Sequence, residues 1–197
     1  NELRYSINAE GAVIAYEYDA NGQLKRTTAY AQRLSEYKPE LILTDAEVSL
    51  MLCSSAKDRS MTYYYDARGA LSAEVNAEGY ATEYHYNHLG LLIETCRYKN
   101  AAAKALTGDW LTDKPKASVR YDIHLYSLYD ARGLKVASVD GLGFVTEYRY
   151  DERGLLIEQT AYANACSNLV FTPTTTLSDL RPSTDNNDAH TTYQYND

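Results

Sequence analysis

Glu83 and Glu94 stand eleven residues apart, and so do Glu147 and Glu158. Two carboxylates flanking a bond are the equipment of a glycosidase. His85 and His88 are three apart, the spacing of a two-imidazole metal clamp. Neither set carries the chemistry further. In the second stretch Arg149, Glu152 and Arg153 stand where the first has its histidines, so a metal pair does not recur. Both glutamate pairs recur with their surroundings and alternate along strand-like segments. They read as sheet-surface charges facing Arg97 or Arg149. Three cysteines, Cys53, Cys96 and Cys166, cannot form a complete set of internal disulfides. Cys96 is replaced by Thr160 in the second stretch, so the cysteines are expected to be unpaired and unliganded. The chain has no Gly-rich phosphate loop, nucleophile elbow or Cys/His constellation. The expectation is that it is not an enzyme and holds no metal or cofactor.

The elements that carry these residues are repeated. "TEYHYNHLGLLIETCRY" at 82–98 returns as "TEYRYDERGLLIEQTAY" at 146–162. Within them sits a shorter motif, (Asn/Asp)-x-x-Gly. It occurs at Asn8–Gly11, Asp19–Gly22, Asp66–Gly69, Asn76–Gly79, Asn87–Gly90, Asp130–Gly133, Asp140–Gly143 and Asp151–Gly154, taking eight of the ten glycines. Asp or Asn opens a type I turn by accepting a backbone hydrogen bond from two residues on. Gly closes it in the left-handed conformation of a bulged hairpin. Each motif is therefore a predicted hairpin turn and each carboxylate a turn cap.

Successive turns begin 10 or 11 residues apart, at 66, 76 and 87 and again at 130, 140 and 151. That leaves one strand between turns. The segments "AVIAYEY" (12–18), "YATEYHY" (80–86) and "FVTEYRY" (144–150) alternate tyrosine with polar residues. Tyr84 and Tyr86 share one face, and Glu83 and His85 the other. A three-residue bulged loop pairs Tyr86 with Leu92. The same register brings Glu94 to the tyrosine face beside Tyr84, a poor fit that leaves two readings open: Glu94 lies at a sheet edge, or the register differs.

A longer period overlies the short one. Asn8, Asn76 and Asp140 are equivalent, at steps of 68 and 64, and "TTYQYND" (191–197) begins the pattern again. The reading is one array of about three modules, 1–62, 63–126 and 127–197, each a run of hairpins plus a connector. Connectors are the places for helix. "LTDAEVSLMLCSSAKD" (43–58) carries a capping box, Thr44 with Glu47. "NAAAKALTGDW" (100–110) is Ala-rich, with Gly108 as a C-cap. "TPTTTLSDLRPSTDNNDAH" (172–190) has room for one helical turn at 178–181. The fold class predicted is all-β: antiparallel hairpins in a curved or spiralling sheet.

Composition narrows the function. Tyrosine numbers 20 against 2 Phe and 1 Trp. It favours strands and joins an apolar ring to a polar tip. The net charge of −8, without a basic cluster, argues against nucleic acid and anionic membrane surfaces. No apolar run has the length of a membrane span, and no signal peptide opens the chain. The pattern looks cut at both ends, as a fragment of a larger protein would.

Tyr-x-Tyr-Asp-x-x-Gly-x-Leu resembles the YD repeat of the Rhs family. It stands as "YEYDANGQL" (16–24), "YYYDARGAL" (63–71), "YHYNHLGLL" (84–92) and "YRYDERGLL" (148–156), with repeat tyrosines Tyr16, Tyr18, Tyr63, Tyr65, Tyr84, Tyr86, Tyr148 and Tyr150. "SLYDARGLK" (127–135) departs at Ser127 and Lys135. The family includes bacterial Rhs polymorphic toxins, the B and C components of Tc toxins, and teneurins. The resemblance implies a long antiparallel sheet winding into a shell, held in a secreted or surface protein, that encloses a toxic domain. It implies neighbouring YD repeats of the same chain as partners. The family's self-cleaving aspartyl core has no counterpart among these residues. Two readings remain: a structural shell segment, or an adhesion module offering tyrosines to glycans or a surface protein. Interlocked tyrosines favour the first, and coplanar exposed ones the second.

Overall fold

A computed structural model describes residues 2–35, 37–38, 42–166, 171–172 and 174–196. Pro173 of the third connector and Asp197 lie outside them. The described residues form twelve strands: β1 Tyr5–Ile7, β2 Ala12–Tyr18, β3 Leu24–Arg33, β4 Arg59–Tyr65, β5 Leu71–Val75, β6 Tyr80–Tyr86, β7 Leu92–Ala101, β8 Ile123–Tyr129, β9 Lys135–Val139, β10 Phe144–Tyr150, β11 Leu156–Ala165 and β12 Ala189–Thr192. Three short helices lie in the connectors: α1 Asp45–Met51, α2 Trp110–Asp113 and α3 Leu177–Leu180. The fold is all-β, and the strands hydrogen-bond in sequence order as an antiparallel meander. This is the hairpin array expected of a chain whose turn signals recur at strand-length intervals.

The chain divides into two compact units, Asn1–Glu83 with Tyr98–Arg120, and Tyr84–Arg97 with Tyr121–Asp197. In the first, Val13, Leu34 and Val48 form a buried cluster with Tyr5, Ile7 and Tyr30 packed on it. In the second, Leu128, Ala137, Val139, Val145, Tyr162 and Leu180 form another. Each cluster joins one sheet face to a connector helix, through Val48 of α1 or Leu180 of α3. Burial alternates along the strands, so β5 (71–75) and β9 (135–139) share one pattern with Ala73, Val75, Ala137 and Val139 inward. One face of an antiparallel sheet is covered and the other is wet.

A bulge recurs at the start of four of the YD hairpins. Tyr18 pairs with Leu24 but Glu17 with Arg26, skipping Lys25. Ser72, Val136 and Ile157 are skipped at Tyr65, Tyr129 and Tyr150. The bulge corrects the simple register. In β10–β11, Tyr150 does face Leu156, but Glu158 then stands opposite Arg149 and not on the tyrosine face. The extra residue flips the side-chain alternation that follows it.

The Ala-rich connector also differs from expectation. Ala101 ends β7, and no helix forms before Trp110. The Ala102 N–H is bonded to the Gly79 carbonyl at 2.8 Å, and the Asn100 side chain to the Lys116 carbonyl at 2.6 Å. These tertiary bonds hold the segment extended against its helix propensity. Gly108 is no C-cap; it precedes α2, whose N-cap is Asp109. Its φ of +88° also makes it as intolerant of a side chain as the turn glycines. The other connectors carry helix where the capping residues lie. Thr44 and Glu47 cap α1 reciprocally, and Thr176 with Asp179 does the same for α3.

Candidate functional site

Each of the eight (Asn/Asp)-x-x-Gly motifs closes by the same bonds. The N–H of the Asn or Asp donates to the carbonyl four residues on, at 2.8–3.1 Å, and the Gly N–H returns to the first carbonyl. At Asp66, Oδ1 accepts from the N–H groups of Arg68 and Ala70, both at 2.9 Å. Asn8, Asp19, Asn76, Asn87, Asp130 and Asp140 make both equivalent bonds, and Asp151 accepts from Leu155. Asp66, Asp130 and Asp151 are held below the usual carboxylate range, chiefly by the backbone N–H four residues on. These carboxyls are consumed by their own turns.

Four tyrosines at the second YD position bond to the neighbouring hairpin. The Tyr65 hydroxyl donates to the Leu24 carbonyl at 2.9 Å, and Tyr129 to Leu92 at 3.0 Å. Tyr150 donates to Lys135 and Tyr195 to Leu156, both at 2.9 Å. In all four the acceptor lies two residues after a turn glycine, and Leu24, Lys135 and Leu156 are each the first paired residue of their strand, next to the bulge. The hydroxyl takes the place of the missing rung. Tyr148 meets Ser138 Oγ at 3.2 Å, and the Arg4 guanidinium lies 5.8 Å over the Tyr18 ring. Tyr16, Tyr18, Tyr63, Tyr65, Tyr84, Tyr86, Tyr148 and Tyr150 are all half-buried.

Glu83 and Glu147 form the centres of two equivalent clamps. Glu83 is buried and accepts from the Tyr98 hydroxyl at 2.5 Å, Trp110 Nε1 at 2.8 Å and Lys114 Nζ at 2.9 Å. Glu147 accepts from the Tyr162 hydroxyl at 2.8 Å and from Arg181 at 2.9 and 2.7 Å. Burial works against the Glu147 charge, but the hydrogen bonds from Arg181 and Tyr162 outweigh it, and the carboxyl is held low. Lys114 and Arg181 both follow a connector helix. Each clamp therefore pins a connector to the sheet. The first module has Ala15 at this position, and there α1 is held by apolar packing of Val48. Tyr98 and Tyr162, the last residues of the two seventeen-residue copies, escaped the sequence reading. Their signal was the constant interval from the copied glutamate.

Asp113 is a second buried anchor, 2% exposed. It accepts from the Tyr64 hydroxyl, Thr107 N–H and Oγ1, and Gly108 N–H, at 2.8–3.0 Å. Burial pushes its carboxyl up, but these four bonds prevail and leave it below the ordinary value. Tyr64 is pushed up, first by burial and then by its bond to Asp113. A depressed carboxylate stabilises the fold above its unfolded pKa, near 4, and that contribution fades as pH falls through the lower folded value. Stability is therefore expected to be flat from about pH 5 to 7 and to fall below about pH 4. Denaturant midpoints across this range check it. Asp113→Asn should flatten the acid limb, and stability that rises on acidification contradicts the assignment.

The residues with catalytic potential are otherwise engaged. Glu147 and Glu158 do line one small cleft, of about 270 Å³. But Glu147 is bound to Arg181 and Glu158 to Arg149 at 2.8 Å. A glycosidase acid needs a raised pKa, and Glu147 is shifted the other way. His85 is exposed on β6 and His88 in the following turn; no metal-binding group of three His, Cys, Asp or Glu occurs among the described residues. One array was invisible in sequence. Cys96 Sγ lies 3.8 Å from His124 Nε2, and His124 Nδ1 lies 2.7 Å from Glu94. That is the order of nucleophile, base and orienting acid. Yet Cys96 is 4% exposed, and the same cross-strand pair is Thr28–Ser60 at 3.1 Å and Thr160–His190 at 3.0 Å. It is a sheet rung that recurs in whatever residues each module offers. Tyr126, beside it, is pushed up to about 12 by burial and then by the Glu94 charge. Cys53, Cys96 and Cys166 form no disulfide with one another.

Comparison with known proteins agrees with this construction. The RHS Repeat family model matches residues 65–98 and 129–165. Among curated proteins no match was found. The fold is shared with a chain of the Tc holotoxin pore of Photorhabdus luminescens, at 17% identity and TM-score 0.53 over 78% of this chain. It is shared with TcdB2–TccC3 lacking its hypervariable C-terminal region, at 18% identity and TM-score 0.53 over 80%. TcdB2–TccC3–TEV gives 17% identity and TM-score 0.54 over 83%. This chain spans 6–7% of the length of those chains. In turn chemistry, tyrosine spacing and fold, the chain is similar to a YD/Rhs-repeat segment, and residues 65–98 and 129–165 match the repeat itself.

Proposed function

We propose that this chain is a passive stretch of wall in a larger Rhs-type protein, secreted or delivered to a surface, and that the wall helps to enclose a toxic domain. Its direct partners are the neighbouring repeats of its own chain. The observation that carries this reading is the fate of the tyrosine hydroxyls. Tyr65, Tyr129, Tyr150 and Tyr195 each spend theirs on the backbone of the preceding hairpin. A binding surface would keep such groups for a ligand. Glu83 and Glu147 serve the same end, holding connectors down on the sheet. No helix among the described residues is long and apolar enough to cross a membrane. Kinship in fold with Tc toxin chains supports the enclosure of a toxin.

A glycan-array screen of the protein tests this against adhesion. The expected result is no saturable hit. A specific glycan bound by the wild type and lost in Tyr148→Ala, with the fold intact, would replace the wall reading by an adhesin.

A further inference from the structure

A cleft of about 840 Å³ in the first unit is lined by residues of β3 and β4. Its wall uses the alanine stretch that does not become helix: Ala101, Ala102 and Ala103 line it, opposite Ala56 and Ala77. Small side chains keep the space open. Arg26 enters from β3, opposite the buried Thr62. Its equivalents are Glu94, which pairs with His124, and Glu158, which pairs with Arg149. The first module swaps the pair, with Glu17 opposite Arg26 where the third has Arg149 opposite Glu158, but no ion pair between Glu17 and Arg26 forms among the described residues. Arg26 Nε is buried and has no hydrogen-bond partner. A guanidinium N–H so placed is costly unless something accepts from it.

The carboxylates of the cleft are not available. Asp58 accepts from the N–H groups of Ala31 and Ser55, both at 2.8 Å. Glu78 is held by Arg59 at 2.6 Å. Lys104, exposed at the mouth, adds a second cation. The lining therefore has two cations and two carboxylates; both carboxylates are already hydrogen-bonded, whereas Arg26 and Lys104 have no ion pair among the described residues.

We propose that this cleft binds a small organic anion, a carboxylate or a phosphate ester, whose charged group docks on Arg26 with Lys104 at the entrance. The guanidinium fork fits both oxyanions, and the volume falls in the range of small-molecule sites, roughly 300–1,000 Å³. The apolar alanine wall takes the body of the ligand. A passive wall does not require this site, so its failure would leave the scaffold reading untouched.

Arginine Nε–H resonances of the ¹⁵N-labelled protein test it, with inorganic phosphate and succinate titrated separately. The Arg26 resonance is expected to shift saturably with one probe while Arg68 stays still. A phosphate response assigns the phosphate class, and a succinate response the carboxylate class. Arg26→Gln should abolish binding measured by calorimetry. Lys104→Gln, at an exposed position that leaves the fold intact, should weaken it about three- to tenfold, the scale of one rim charge. No saturable shift up to about 10 mM of either probe, beyond the mM range of weak sites, overturns the proposal. Parallel shifts at every arginine overturn it as well.

Discussion

Glu83→Ala is expected to destabilise the first unit by about 2–4 kcal/mol, because the donors that met its buried carboxylate lose their acceptor. The substitution leaves three donors without an acceptor: the Tyr98 hydroxyl, Trp110 Nε1 and Lys114 Nζ. Lys114 also lies 5.7 Å over the Tyr98 ring, so the cation remains in a partly apolar setting. The aromatic pair follows, since Trp110 packs on Tyr64 and Tyr98 at centroid distances of 5.2 and 6.2 Å. Glu83→Gln keeps an acceptor and should cost less, about 1–2 kcal/mol. Denaturant unfolding of both variants, with Lys114→Met to complete a cycle, separates charge from shape. A loss under about 1 kcal/mol for Glu83→Ala would mean the connector is not pinned here.

Gly11→Val is expected to cost about 2–4 kcal/mol, because left-handed strain and overpacking add. Gly11 has φ +75°, and a Cβ there would lie 2.5 Å from the Leu34 carbonyl oxygen. That contact sits on a latch. The Leu34 N–H donates to the Gly11 carbonyl at 2.8 Å, as Ala102 does to Gly79 and Cys166 to Gly143. Each latch ties the end of a ten-residue strand back to the turn that began its hairpin. Relief of the clash would mean breaking it. Gly90 has φ +78° but nothing within 4 Å of its Cβ position. Gly90→Val should therefore cost only the strain, about 1–2 kcal/mol. Equal thermal shifts at the two sites would show that the latch contributes nothing.

What was legible in the sequence is what local chemistry decides. An Asp or Asn three residues before a Gly specifies its turn without help from the rest of the chain, and turns at that spacing leave room only for strands. The bulge was less accessible, because it is a property of two strands. Glu158 reaches Arg149 only once Ile157 is skipped. The clamps were half visible. Glu83 with Tyr98, and Glu147 with Tyr162, recur at a fixed interval. Their cations, Lys114 and Arg181, sit in connectors of different length and composition and share no spacing. The alanine stretch misled for a third reason. Its helix propensity is local, but the bonds that hold it extended run from Ala102 and Asn100 to the distant carbonyls of Gly79 and Lys116. Arg26 could be noticed only after alignment with Glu94 and Glu158, and its missing partner only in three dimensions.

The central claim is that the YD tyrosines are structural bonds between successive hairpins. The denaturation midpoint of the triple variant Tyr65→Phe, Tyr129→Phe, Tyr150→Phe tests it most directly. Each change removes one hydroxyl and keeps the ring. A hydrogen bond to a backbone carbonyl contributes about 0.5–1.5 kcal/mol, and bonds at separate hairpins add. A combined loss of about 2–4 kcal/mol is the predicted result. A midpoint unchanged from the wild type would contradict the account.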